Sequence, residues 1–155
     1  MTLRIVIMGA PIGQGRPRAS FERGRIRMRD PDDSRAAKAS VASHAFVAMT
    51  RQGWRRTDRP IAMRVVAFFA CPKRMAKARA ARRELAPRAP DADNIAKLYA
   101  DALNGVAYAD DRQIVSLDVL KVREVAGCEA RVEIEIREAD VEDVLRALAP
   151  AVPTA

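Results

Sequence analysis

The sequence predicts an α+β fold in a single domain, with a mixed β-sheet packed against helices. Three observations carry this. Short alternating or β-branched runs recur along the chain, helical stretches fall between them at irregular intervals, and no repeating strand–helix unit joins them. The length of 155 residues suits one domain with a real core and is short for two. With 49% hydrophobic and 31% charged residues, the composition is globular rather than disordered. Only 5% is aromatic, so the core is expected to rest mainly on Ala, Val, Ile and Leu.

Leu3, Ile5 and Ile7 alternate with Arg4, Val6 and Met8, giving a first strand that runs into the loop GAPIGQGRPRAS. FERGRIRMRD reads as a hairpin turning near Arg23-Gly24, with Ile26 and Met28 on one face. Asp32, Asp33 or Ser34 can cap a helix that runs to about Gln52 and closes at Gly53. IAMRVVAFFA, residues 61–70, is a buried strand stopping before Pro72. Residues 73–88 are very basic, helical by propensity but without an apolar stripe, and are expected to face solvent or move. Ile95, Leu98, Tyr99, Ala102 and Leu103 mark an amphipathic helix closed by Asn104-Gly105. IVSLDVLKVRE and CEARVEIEIRE alternate as strands and are expected to form a second hairpin around Ala126-Gly127. DVEDVLRAL reads as a short helix before the tail. There is no internal repeat and no long low-complexity linker.

Charge is unevenly spread within the net +8. Residues 1–50 carry +5, residues 51–90 carry +10 and residues 91–155 carry −7. A basic part joined to an acidic part suits a metal-dependent enzyme acting on a polyanion, in which phosphates meet the basic surface and acids hold the cation. A plain nucleic-acid binder has the same balance. No apolar run approaches the roughly 20 residues of a membrane helix, and the N-terminus lacks the basic region and long apolar core of a secretory signal. Cys71 and Cys128 make no disulfide framework, so a cytoplasmic protein is expected.

Several tempting motifs fail. GAPIGQGR follows a strand but lacks the Gly-Lys-Ser/Thr of a phosphate loop and the third glycine of a dinucleotide fingerprint. An arginine-bearing loop against a nucleic-acid backbone fits it better. His44, the one histidine, lies among alanines with no nucleophile elbow to serve. The two cysteines have no zinc spacing, and Tyr99 is most simply core.

The acids need more explanation. Asp93 stands where a helix cap belongs, Asp93 and Lys97 are spaced as an ordinary i, i+4 ion pair worth a few tenths of a kcal/mol, and Asp110-Asp111 can be a turn. These roles leave unexplained why Asp91, Asp93, Lys97 and Asp101 crowd one helix. Mg2+ takes carboxylate oxygens and keeps waters, and one or two carboxylates per ion suffice. Asp91 and Asp93 can reach one ion, and a strand returning beside the helix could add Asp110 or Asp111.

PDADNIAKLYADALNGVAYADDRQIVSLDVLKV resembles the RusA family of Holliday junction resolvases. The family pattern is matched by Asp91-Ala92-Asp93-Asn94, Lys97, Asp101-Ala102-Leu103, Asp110-Asp111-Arg112-Gln113-Ile114 and Lys121, in order. GRPRASFERGRIRM resembles the Arg-Pro-Arg region of many members. The resemblance implies a RusA-like endonuclease domain over residues 1–138, followed by a short helix and tail over 139–155. It further implies a homodimeric, Mg2+-dependent endodeoxyribonuclease that resolves four-way junction DNA by paired cuts, in recombination and repair. It assigns Asp91, Asp93 and Asp111 as catalytic metal ligands and Lys97 as the essential lysine.

The chemistry agrees with those residue types. Phosphodiester hydrolysis needs an activated water, a Lewis acid and neutralisation of developing charge. Lys97, a turn beyond Asp93, can orient the water or offset that charge. Arg16, Arg18 and Lys121, with Lys73 and Arg74 of the basic segment, are candidates for DNA backbone contacts. The helix Arg35–Gln52, poor in charge, or a strand edge is the expected dimer seam. A broader flap or fork nuclease would share all these residues, and a non-catalytic nucleic-acid-binding module would use the acids as caps and salt bridges.

Overall fold

A computed structural model describes residues 1–22, 25–75, 77–142 and 145. In chain order its elements are β1 (Thr2–Met8), β2 (Arg18–Glu22), β3 (Arg25–Arg29), α1 (Asp32–Gln52), β4 (Ile61–Phe69), α2 (Lys77–Ala80), β5 (Glu84–Leu85), α3 (Ala92–Leu103), β6 (Ile114–Arg123) and β7 (Arg131–Glu138). A 3-10 turn, Asp111–Gln113, precedes β6. The fold is α+β: a mixed five-stranded sheet in the order β1-β7-β4-β6-β5, with β2 and β3 as a separate hairpin. The Arg23-Gly24 turn and most of the expected helix 140–148 lie outside the described residues. No helix among the described residues is long and apolar enough to cross a membrane.

β4 forms the centre of the sheet because it is apolar on both sides. Met63, Val65, Ala67, Phe68 and Phe69 are all buried, and Arg64 alone is exposed. It runs antiparallel to β7 and parallel to β6. The parallel pair needs a crossover, which α3 supplies. This corrects the expected second hairpin, since β6 and β7 are separated by β4. Alternation along β6 and β7 reports half-buried strands and says nothing of their neighbours. A strand buried on both faces gains more from two partners than its neighbours gain from each other. The connection 124–130 crosses the end of β4, where the Glu124 N–H bonds the Phe69 carbonyl at 2.8 Å.

Both long helices cover one face of the sheet. α1 packs on β1 and α3, and α3 packs on β6. Leu3, Ile5, Val65, Ile95, Leu98 and Ile134 join in the core between them, each contributing about 1.5–3 kcal/mol relative to exposure. On the open face one row across the strands alternates in sign, Arg4, Glu135, Arg64, Asp118, with the outer pairs each at 3.1 Å.

Two local expectations are corrected. α1 begins at Asp32 behind Pro31 with no side-chain cap bond. Asp32 and Asp33 instead favour its first turn through the helix dipole, and the Ser34 hydroxyl accepts the Gly15 N–H at 3.0 Å. The C-terminus closes as expected at Gly53, φ 68°. The basic segment faces solvent over most of its described residues, as expected, but it is not one long helix. Only Lys77–Ala80 is helical, and Glu84–Leu85 extends the sheet beside β6. Arg79 and Arg82 pair with Glu84, and Arg83 pairs with buried Glu124 at 2.6 Å. With no apolar stripe to pack, helix propensity yields to these ion pairs.

Candidate active site

The N-terminal loop is laid against the start of α3 by close backbone approach. A Cβ on Gly13 would stand 2.6 Å from Pro90 Cβ and 3.1 Å from Asn94 Cβ, and one on Gly15 would stand 2.8 Å from Pro31 Cγ. The Gln14 N–H donates to the Asn94 carbonyl at 2.8 Å, and the Ile12 N–H bonds the buried Tyr99 hydroxyl. These glycines therefore serve packing, and the loop brings exposed Arg16 within two residues of the contact with α3. The Arg18 side chain lies outside the described residues.

Along α3, acids of similar spacing have different surroundings. Asp91 occupies the cap position in extended geometry without a side-chain cap bond, and Asp93 sits in the first turn. Asp91, Asp93 and Lys97 are exposed. Among the described residues none of the three makes a side-chain hydrogen bond or ion pair, so the Asp93–Lys97 pair is not formed. Asp101, a turn beyond Lys97, is engaged: Lys38 Nζ lies 2.9 Å from Asp101 Oδ2 and 2.8 Å from Asp30 Oδ2. The bond from Lys38, then one from Gln14, holds the Asp30 carboxyl below its usual range.

The Asp110-Asp111 pair divides in the same way. Asp110 caps the 3-10 turn, accepting the Arg112 N–H at 2.9 Å and its guanidinium at 2.8 and 3.1 Å, while Gln113 Oε1 accepts the Asp110 N–H at 2.7 Å. Arg112 thereby holds the Asp110 carboxyl far below its ordinary value. Gln113 Nε2 donates to the carbonyls of Thr57 and Arg59 at 3.1 and 2.7 Å, fixing the turn to the chain before β4. Asp111 is exposed. The buried Tyr108 hydroxyl, which donates to the Ala100 carbonyl at 2.6 Å, is pushed up by burial first and then by the charges of Asp111 and Asp101.

Asp91 and Asp93 stand together at the start of α3, and Asp111 follows its far end in the chain. Among the described residues no group of three or more His, Cys, Asp or Glu is placed to hold a metal ion. Lys121 is half-buried and donates to the Arg88 carbonyl, on the segment leading into Asp91. Lys73 and Arg74 are exposed. His44 is exposed, with Nδ1 2.8 Å from the Ser40 carbonyl of its own helix, and both cysteines are free. Sequence reasoning missed Asp30, Lys38 and Gln14. The available signal was Lys38 itself, the one charge in α1 between Arg35 and Arg51, at a core-facing spacing from Ser34, Val41 and Ala45.

The α+β sheet thus carries a helix with exposed Asp91 and Asp93 at its start and exposed Lys97 a turn further on, beside an arginine-bearing loop. The chain matches the family model "Endodeoxyribonuclease RusA" over residues 8–137. It is 37% identical over 142 residues to "Uncharacterized protein YqaN" of Bacillus subtilis (strain 168), spanning 88% of this chain and 96% of that protein. The chain belongs to the RusA endodeoxyribonuclease family. That membership makes it an endodeoxyribonuclease by class and supports a role on Holliday junctions.

Proposed function

We propose that this protein is a Mg2+-dependent, structure-specific endodeoxyribonuclease that resolves four-way DNA junctions by paired phosphodiester hydrolysis, acting as a cytoplasmic homodimer in recombination and repair. One observation carries the reading. Of the acids in the two motif segments, Asp101 and Asp110 are taken up by Lys38 and Arg112, while Asp91, Asp93 and Asp111 remain exposed. The acids left exposed are those the family motif makes essential.

The donor set fits a hard cation. Asp91 and Asp93 offer carboxylate oxygens with no competing protein partner among the described residues, and Mg2+ commonly takes one or two carboxylates and keeps its remaining waters. When bound, the ion would supply Lewis-acid polarisation of the scissile phosphate and a more acidic water. Lys97, a helical turn from Asp93, presents an unpaired ammonium for the charge that develops on the phosphate. Asp111 is the third carboxylate of the reading. Arg16, with Arg18, Lys73 and Arg74, is assigned to backbone phosphates, and Lys121 to shaping the chain ahead of Asp91.

The test compares a synthetic four-way junction with linear duplex and a flap, with and without Mg2+, for wild type and Asp93→Asn. Paired cuts in the junction alone, dependent on Mg2+ and lost in Asp93→Asn while binding persists, are expected. Asp93 makes no side-chain bond among the described residues, so the fold should tolerate the change. Equal cutting of flaps points to the broader nuclease, and binding without cutting to a non-catalytic module.

A further inference from the structure

Lys38 lies on the buried stripe of α1 with Ser34, Val41 and Ala45, where an unpaired ammonium would be costly. Its partners are the Asp30 and Asp101 carboxylates, at 2.8 and 2.9 Å. Lys97 precedes Asp101 by four residues on α3, the spacing at which helical side chains meet. The Lys97 charge also acts on Asp30. Both acids held by Lys38 are thus natural partners for Lys97, which nonetheless stays exposed and unpaired among the described residues. Gln14 ties the same group to the N-terminal loop, bonding Asp30 through its side chain and Asn94 through its backbone.

We propose that Lys38 is a positioning residue: by occupying Asp30 and Asp101, it keeps the Lys97 ammonium out of an internal ion pair and available to a DNA phosphate. This rests on the reading of Lys97 given above. Without Lys38, Asp101 stands one helical turn from Lys97 and Asp30 feels its charge, with no other cation bonded to both acids. An i, i+4 ammonium–carboxylate pair forms on a helix unaided, and Asp30 adds a second attraction. An ammonium so engaged must break those contacts before it can serve a phosphate.

The test measures acylation of Lys97 by an N-hydroxysuccinimide ester, read by mass spectrometry on the DNA-free protein, alongside single-turnover cleavage and junction affinity. Wild type should label quickly at Lys97 and slowly at Lys38. Lys38→Met should slow Lys97 labelling by roughly fivefold, the upper range for half-exposed ion pairs, and lower the cleavage rate with affinity little changed. The triple variant Lys38→Met/Asp30→Asn/Asp101→Asn, which removes the competing acids, should restore both labelling and rate. Should Lys38→Met melt below the assay temperature, Lys38→Gln, which keeps a donor, replaces it. Unchanged Lys97 labelling in a folded Lys38 variant, or no recovery in the triple variant, overturns the proposal. If wild type cuts no junction, the functional reading fails, and the labelling alone still decides the role of Lys38.

Discussion

Asp110 and Asp111 are chemically identical neighbours with different work to do. The Asp110 carboxylate is committed to Arg112 and to capping the 3-10 turn, while Asp111 stands exposed. Asp111→Asn should cut junction cleavage by roughly a hundredfold or more, at least the loss that outer-shell changes at metal sites produce, with the melting temperature unchanged. Asp110→Ala should do the reverse in order of severity, lowering the melting temperature first and activity only as the turn loosens. Parallel melts and cleavage assays separate the two, and equal activity losses at unchanged stability would sink the division. From residue types alone either acid could be the ligand, and only the family pattern chose Asp111. The capping geometry supplies an independent physical reason, invisible in sequence because it depends on where the Arg112 side chain turns. Lys38 left a trace in its spacing from Ser34, Val41 and Ala45, which sequence reasoning passed over and which names neither Asp30 nor Asp101 as a partner.

At the scale of elements, sequence reasoning recovered strands and helices but misjudged what lies beside them. The amphipathic pattern of α3 and the double-sided apolarity of β4 report burial directly, so both were readable. The pairing of β6 with β4 and the folding-in of residues 77–88 depend on contacts distant in sequence. The latter rests on two acids. Arg79 first, then Arg123, lowers the Glu84 carboxyl to about 2 against opposing burial. Arg83 first, then Arg131, does the same for Glu124, again to about 2. Since both folded values lie below the unfolded value of 4.5, their stabilisation is complete above that pH. It is lost as pH falls from there through about 2. The melting temperature should therefore decline across this window, with Asp30 and Asp110, also depressed, adding to the fall. Glu124→Gln should lower the melting temperature at pH 7 and flatten the acid limb. An acid limb identical to wild type would show that Glu124 is not among the groups responsible.

For the whole molecule, the net charge of +10 over residues 51–90 overstates the surface offered to DNA, because Arg79, Arg82 and Arg83 are engaged with Glu84 and Glu124. Within that block Arg51, Arg55, Arg56, Lys73, Arg74 and Lys77 are also exposed, and Arg16 is exposed outside it. Changing Arg16 and Arg18 to Ala should weaken junction binding and reduce the slope of log affinity against log salt by about 0.9 for each DNA phosphate no longer neutralised. An unchanged slope would remove the loop from the DNA. The last expectation is assembly. A symmetric junction presents two equivalent strands, whereas each chain carries one set of Asp91, Asp93, Lys97 and Asp111. Coordinated cuts need two such sets related by a twofold axis, the commonest closed symmetry of homo-oligomers. Both surfaces suggested by the sequence exist in the fold. The outer side of α1 exposes Phe46 and Val47 at 69% and 51%, and β5 pairs only with Val122 and Arg123 of β6, leaving the rest of that edge uncovered by it. Light scattering at micromolar concentration should give twice the 17.1 kDa chain mass. In a mixture of wild type and Asp93→Asn chains, the hybrid dimer should nick one strand and leave the opposite strand intact. A chain that stays monomeric on junction DNA yet makes paired cuts would break the link between symmetry and resolution.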